Sequence, residues 1–439
     1  MFMEFLKEIK KISQKEPVEF WIEIEEGFEL EKRDKKDFLE EKYKDQNISI
    51  RYLNEDGKAG LSYSTSFNFL DLEEAVLKAK ALSKYGVPSI FPEKEERYPE
   101  IYFSKDLNIS LNEVKEKLTE LEEKAFGFDS SITRVEKIKL SFGKIKYILI
   151  RNELELFWES PFYSFIISVV AKNNKEAEAY EWYEGVEFNY QALLERVELA
   201  CQKAIALSKT KKGKGLKIPI LFPPFLAIEL LELLEFSFLG DEVLKGRSFL
   251  KDKLEKEVFN KKITLFDDGI NPSLPESRPF DDEGVAQNKK ILIEKGIVKT
   301  FLFDTYWKRE AEKRGLKEFK AGNSRRLDFS SFPKISSTNL YLKNGEVSKE
   351  DLIKAEKEVF EVLELLGGHT ANPISGDFSF GVSGIYYKEG EPIDYFCEMA
   401  LSGNIFELFK NVLELGSDLT FYGSIGSPSL LVEKMDLGG

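Results

Sequence analysis

A run of alternating segments between residues 132 and 183 constrains the fold of this chain more than any other feature. Apolar and polar residues alternate there with the two-residue period of a half-buried strand, and short turns with Gly, Asn or Pro separate the segments. The candidate strands are 132–140, 144–150, 153–159, 163–171 and 176–183. Because turns this short join antiparallel neighbours, the pattern predicts an antiparallel meander.

Local signals before the meander predict turns and helix ends. The tetrapeptide at 54–57 ends in Asp-Gly, which favours the positive φ of a tight hairpin. Asp71 is expected to cap the next helix. Ser110 and Glu113 have the spacing of a capping box and predict a helix reaching about Phe126.

Helical patterns dominate several segments after the meander. A helix is predicted over 190–208, followed by a linker at 209–215 that is rich in Lys and Gly. Gly240 is expected to end the helix that begins at the two prolines 223 and 224. Further helices are predicted near 305–314, 349–365 and 404–415.

These elements together predict an α+β fold with three blocks. An N-terminal α/β block covers 1–92, and a helix plus the meander cover 93–212. The region 216–439 is expected to be a mostly β domain rich in glycine turns.

Charge and cysteine content exclude several classes of protein. The chain has 78 acidic and 64 basic side chains and a net charge of −14, which argues against a nucleic-acid or anionic-membrane partner. No apolar stretch is long enough to span a membrane and no signal peptide is evident, so a cytoplasmic location is expected. Cys201 and Cys397 lack metal-ligand spacing and are expected to be buried reduced thiols.

A single histidine, His369, restricts the chemistry further. One imidazole cannot build a multi-histidine zinc site, and it is the only base available to a serine or cysteine nucleophile. His369 lies in a glycine-rich loop that continues to Asn372 and Pro373. Two interpretations stay open: hydrogen bonds that orient the loop, or side chains that line a substrate passage.

Two acidic groups complete the candidate residues. Glu229, Glu232 and Glu235 recur every third residue on one predicted helix, as a solvated stripe or as a carboxylate row facing a cleft. The consecutive carboxylates at 281–283 could cap a turn, contact a partner or hold a hard cation such as Mg²⁺ or Ca²⁺.

Seven short motifs in one order carry a family resemblance from about residue 218 to the end. They occupy 280–285, 291–298, 338–342, 367–369, 376–379, 403–404 and 423–429. In sequence and spacing they resemble the TldD/PmbA family, formerly named modulators of DNA gyrase. The N-terminal half is similar more loosely, through 54–60 and the helix after it.

The resemblance implies a cytosolic two-subunit peptidase, in which a TldD-type chain carries zinc and a PmbA-type or TldE-type chain pairs with it. The TldD type bears His-Glu-x-x-x-His before a Gly-Asp step, and the corresponding residues here are Leu231, Glu232 and Phe236. Only the glutamate matches, and 415–428 lacks the family's late cysteine ligand. Since Leu and Phe have no lone pairs, we expect no metal here and zinc in the partner.

The resemblance therefore implies a non-catalytic PmbA/TldE-type subunit with Glu232 as a remnant of the metal-site helix. The expected partners are a TldD-type catalytic subunit, in a heterodimer or larger complex, and unfolded peptides. Two alternatives stay open: a stand-alone homodimeric peptide-binding protein, and an independent hydrolase that uses the carboxylates. The candidate residues for peptide or partner binding are Asp281, Asp282, Glu283, His369 and Asn372.

Overall fold

One antiparallel seven-stranded sheet organises the N-terminal half, in the order β4-β3-β2-β1-β5-β6-β7. The computed structural model describes residues 2–103, 109–316 and 319–439, and at His369 the backbone alone. The elements of this half are α1 Phe2–Lys15, β1 Val18–Lys32, β2 Leu39–Leu53, β3 Lys58–Ser64, α2 Phe69–Ser83, β4 Val87–Pro88, α3 Leu111–Phe128, β5 Ile132–Arg151, β6 Leu154–Lys172, β7 Glu176–Gly185 and α4 Tyr190–Ser208.

The two faces of this sheet have different neighbours because side chains alternate along each strand. Even-numbered residues of β1, such as Phe20 and Leu30, are buried in the cores formed with the four helices. Odd-numbered residues point the other way, and Trp21 packs with Leu149 against Phe280 of the C-terminal half. The second face is therefore the contact surface between the two halves of the chain.

A small closed barrel organises the C-terminal half. The elements are β8 Lys211–Lys212, β9 Leu216–Phe222, α5 Pro224–Glu235, α6 Gly240–Leu244, β10 Leu265–Asp268, β11 Lys289–Glu294, β12 Ile297–Val298, α7 Thr305–Lys313, β13 Ser324–Arg325, β14 Lys334–Ile335, β15 Leu340–Leu342, α8 Lys349–Ala355, β16 Glu358–Leu366, β17 Asp377–Lys388, β18 Glu391–Asn404, α9 Ile405–Lys410, β19 Val412–Leu415, β20 Thr420–Tyr422, β21 Ile425–Ser427 and β22 Leu430–Gly438. Strands β22, β9, β16, β17 and β18 pair in that order, and β18 pairs back to β22. A second sheet has the order β12-β11-β10-β15-β21-β20.

The α+β class and the antiparallel meander are confirmed, but the meander's five predicted segments are three strands. β5 runs through Gly143, which faces Gly27 so closely that a Cβ on Gly143 would lie 2.1 Å from the Glu26 carbonyl oxygen. Gly143 therefore allows two strands to approach each other closely and does not form a turn. β6 likewise runs through Pro161, which lies before the stretch that pairs with β7, so a missing N–H is tolerated there.

Several predicted helix boundaries are wrong. Asn68, and not Asp71, caps α2 through a side chain that accepts from the Asp71 N–H. α5 ends at Glu235 and continues as the 3-10 turn Phe236–Phe238, and Gly240 begins α6 instead of ending a helix. The predicted linker contains β8, which pairs with β18.

The predicted helices at 349–365 and 404–415 are each a short helix followed by a strand. α8 ends at Ala355, and β16 then pairs with both β9 and β17. A strand buried between neighbours shows no clean alternation, so its apolar run resembles a buried helix. α9 likewise ends at Lys410 and β19 follows.

In the part of the chain that the structure describes, no helix combines the length and apolar character required to cross a membrane.

Candidate functional site

Helix α5 carries the residues that correspond to the metal-site motif. Pro224 occupies its first turn, where a missing N–H costs nothing, and its apolar side belongs to the main C-terminal core. Leu231 is 0% exposed in that core. Glu232 is exposed, and Phe236 starts the 3-10 turn that follows the helix.

These residues do not fit a zinc ion. Leu231 and Phe236 offer hydrocarbon where zinc requires nitrogen, sulfur or oxygen donors, and one carboxylate cannot complete a tetrahedral site. Among residues 2–103, 109–316 and 319–439, leaving aside the His369 side chain, no group of three or more His, Cys, Asp or Glu side chains is placed to hold a metal ion. Cys201 is a buried free thiol, and Cys397 is half-buried, more open than expected.

The three glutamates of α5 have three different environments. Glu235 accepts hydrogen bonds from the Ser337 backbone N–H at 2.7 Å and the Ser336 hydroxyl at 3.4 Å. Glu232 has neither a hydrogen bond nor an ion pair among the described residues. The row is therefore not a uniform solvated stripe, because one carboxylate anchors the helix and another is left free.

Glu229 lies beside the glycine loop. A Cβ on Gly368 would lie 3.3 Å from Glu229 Oε2, so the loop approaches this carboxylate through a residue without a side chain. Burial and the neighbouring Glu232 raise the pKa of Glu229 to about 7, against the opposing effect of Lys203. The structure thus brings one of the three helix carboxylates, Glu229, beside the Gly-Gly-His loop.

The loop around Asn372 is ordered by its own side chains. Asn372 Oδ1 accepts from the backbone N–H of Ile374 at 2.9 Å and of Ser375 at 3.2 Å. Asn404 Nδ2 donates to the Ser375 carbonyl at 2.8 Å and ties the loop to the start of α9. These bonds match the loop-orienting interpretation of Asn372. The side chain of His369 lies outside the described residues.

Asp281 caps the turn that it begins. Its Oδ1 accepts from the N–H groups of Glu283 at 3.0 Å and Val285 at 2.9 Å, and its Oδ2 accepts from Ser324 N–H at 3.0 Å. Burial and the nearby Glu283 raise the pKa of Asp281. Asp281 therefore caps a turn, which is one of the predicted roles of this acidic group.

The other two carboxylates of the group bind arginines inside the chain. Asp282 lies 2.5 Å from Arg278, and its Oδ2 accepts from the Arg326 N–H at 2.6 Å. Glu283 pairs with Arg51 of β2 at 2.7 Å. Contact with a peptide or partner would need exposed carboxylates, whereas Asp281, Asp282 and Glu283 are at most 3% exposed. Of the three side chains, Glu283 joins the two halves of the chain through Arg51, whereas the contacts of Asp281 and Asp282 stay within the C-terminal half.

A cavity of about 280 Å³ at the start of α5 contains charged residues that the sequence analysis missed. Lys203 of α4 lies 3.8 Å from Glu181 and 4.2 Å from the centre of the Phe225 ring, and burial lowers its pKa. Tyr422 donates to Glu181 at 2.7 Å. The sequence signal for this cavity is Lys203, which lies among apolar residues of α4. Its partners are distant in the sequence, so the sequence alone does not identify them.

Family models match most of the chain. The model described as the PmbA/TldA metallopeptidase C-terminal domain matches residues 215–439, and the model of the central domain of the same metallopeptidases matches 104–208. An uncharacterized protein of Methanocaldococcus jannaschii is 27% identical over 390 residues, which cover 88% of this chain and 87% of that relative. A metalloprotease of Archaeoglobus fulgidus is 34% identical over 203 residues, 45% of this chain and 44% of that protein.

Two solved structures share the fold over all of this chain and all of their own. One is a proposed modulator of a DNA gyrase from Thermotoga maritima, with a TM-score of 0.84 and 25% identity. The other is TldE from Thermococcus kodakarensis, with a TM-score of 0.86 and 23% identity.

Proposed function

The chain belongs to the PmbA/TldD metallopeptidase family, and on that premise we propose that it is a non-catalytic, TldE-like subunit of a cytosolic zinc-dependent peptidase complex. In this proposal a TldD-type chain supplies the metal and the cleavage chemistry. This subunit forms part of the chamber that receives unfolded peptides.

The observation that carries the proposal is the position of Leu231. A metal ligand must point an electron pair at the ion, yet this side chain is 0% exposed within the apolar core. A general base on the same helix acts through a metal-bound water, and Glu232 has no ligand beside it to create one. The helix is therefore suited to structure and not to metal-assisted hydrolysis.

Glu229 and the glycine loop support a role in forming a wall of the chamber. The loop packs closely against α5, and Asn372 and Asn404 hold its far end in place. A surface held in this way is preorganised to meet an extended peptide without reordering.

Affinity purification of the chain from its source cell tests the proposal. A TldD-type chain should elute with it in equal amount, and light scattering should give the mass of a dimer or larger complex. A monomer that stays alone when mixed with a TldD-type chain would refute the subunit assignment. Saturable peptide binding by a homodimer with no such partner would favour the stand-alone alternative.

A further inference from the structure

Helix α2 has apolar residues on two opposite faces, and only one of these faces is covered. The inner face packs on the N-terminal sheet through Leu72, Ala75, Val76 and Ala79. The outer face carries Leu70 and Leu77, which are 80% and 66% exposed. A helix with apolar residues on opposite faces is normally covered on both. The outer face therefore has the composition of a contact surface.

The exposed apolar residues of the outer face form one stripe. With 3.6 residues per turn, Leu70, Leu77 and Ala81 lie within about 40° of one another around the helix axis. Tyr85, which is 91% exposed, follows one turn after Ala81 and extends the stripe to about 22 Å. Single exposed leucines are ordinary on a protein surface, but a stripe with spacings of seven and four residues is typical of a helix–helix contact.

The charges beside this stripe are separated along the helix. Glu73 and Glu74 lie in its first half, and Lys78 and Lys84 follow in and just after its second half. The side chains of these four residues are exposed and form no ion pair or hydrogen bond within the described part of the chain. Acidic residues first and basic residues last also suit the helix dipole, but the dipole does not account for the leucines between them.

This pattern of charges is complementary to itself when one copy is turned end to end. In an antiparallel pair of α2 helices, Glu73 and Glu74 of one copy would lie beside Lys78 and Lys84 of the other, at both ends of the contact. A parallel pair would instead oppose like charges. A contact in which the same surface serves both subunits has two-fold symmetry, the commonest symmetry of oligomers.

We propose that the outer face of α2 binds the same face of a second copy of this chain, with the two helices antiparallel. The inference goes beyond the proposed function, because the peptidase assignment does not use this face. A contact built on one helix of this length is at the small end of specific interfaces, so the dissociation constant should be on the order of micromolar.

Sedimentation velocity on the full-length chain tests the contact. Between about 1 and 100 µM, wild-type protein should shift from monomer to dimer. Leu77→Glu should weaken this association at least about tenfold, because Leu77 lies near the middle of the stripe and meets its own copy there. The matched control is Leu39→Glu at the start of β2, where the leucine is 68% exposed, and its association should stay within about twofold.

Exchange of the charges tests the antiparallel arrangement. One variant combines Glu73→Lys with Glu74→Lys, and the other combines Lys78→Glu with Lys84→Glu. Each variant alone should associate at least about tenfold more weakly than wild type, since it opposes like charges, whereas an equimolar mixture should regain the dimer. The four residues are exposed, so both variants should keep the wild-type melting temperature.

Three results would overturn the inference. They are a wild-type chain that stays monomeric at about 100 µM, a dimer that Leu77→Glu leaves unchanged, and a mixture of folded charge variants that does not associate. If the chain alone is monomeric and Leu77→Glu instead prevents co-elution of a TldD-type chain, that chain is the occupant of this face. The second-copy inference would then be wrong, while the proposed function would survive.

Discussion

Replacing Glu19 with glutamine should destabilise the protein more than any exposed charge change of the same kind. Glu19 of β1 is 0% exposed and lies 3.0 Å from Arg51, 2.6 Å from Arg151 and 3.3 Å from Arg326. It thus holds together three guanidinium groups from the two halves of the chain. Among the described residues, Glu283 is the other carboxylate that pairs with one of these guanidinium groups, 2.7 Å from Arg51.

The size of the effect follows from burial. Removing one charge from a buried ionic cluster leaves its partners uncompensated, which typically costs about 3–5 kcal/mol. Burial acts to raise the pKa of the Glu19 carboxyl, yet Arg51, Arg151 and Arg326 together hold this pKa below its usual value. A lowered folded-state pKa means that the stabilisation is present at neutral pH and is lost as the pH falls through that value. The difference between wild type and Glu19→Gln should therefore shrink in acid.

Urea unfolding at neutral and acidic pH measures this difference. The matched control is Glu155→Gln, which removes the surface pair between Glu155 and Lys10, whose side chains are 50% and 44% exposed. This control should lose less than about 1 kcal/mol. If Glu19→Gln proved as mild as Glu155→Gln at neutral pH, the assignment of a stabilising network between the two halves would be refuted.

Three further predictions concern the helix and the metal. Glu229→Gln should stabilise the protein by about 1–2 kcal/mol at pH 8 and by little at pH 4. The reason is that the pKa of Glu229 is raised to about 7, so its carboxylate destabilises the fold only when it is charged. Denaturant titration at both pH values tests this. Leu231→Ala should cost about 2–5 kcal/mol in the same assay because it opens a cavity in the core, whereas Glu232→Gln should stay within about 0.5 kcal/mol. The purified chain should hold no stoichiometric zinc by elemental analysis after gel filtration, and one tightly held zinc per chain would overturn the subunit assignment.

Local sequence signals predict the elements that are determined by interactions between neighbouring residues. The capping box of Ser110 and Glu113 forms as expected, with both reciprocal hydrogen bonds, and begins α3. The Asp-Gly turn joins β2 to β3 with Gly57 at a φ of +70°. The helix predicted over 190–208 is α4, with the same ends.

The failures have a common physical cause in long-range contacts. β16 is a strand because β9 and β17 pair with it, and nothing within its own sequence requires this. Gly143 looked like a turn, but it meets Gly27, more than a hundred residues away, at a close strand crossing. Tertiary pairing overrides local pattern at both places.

The residues of the candidate site also fall into two groups: those that residue type alone predicts and those that depend on long-range contacts. The departure from the metal motif was readable at Leu231 and Phe236, because it depends on residue type alone. The sequence does not show that Asp282 and Glu283 pair with buried arginines. Arg51, the partner of Glu283, is distant in the sequence, and the nearness of Arg278 does not by itself identify it as the partner of Asp282.

The central claim is that this chain assists cleavage without performing it. The most direct measurement mixes it with a TldD-type partner and follows hydrolysis of an unstructured peptide, with Glu232→Gln in this chain compared with the equivalent change in the partner. The account predicts a nearly unchanged rate in the first case and no cleavage in the second, since only the partner places the carboxylate beside a metal-bound water. A fall in kcat of about a hundredfold or more for Glu232→Gln in this chain, with folding and complex formation intact, would contradict it.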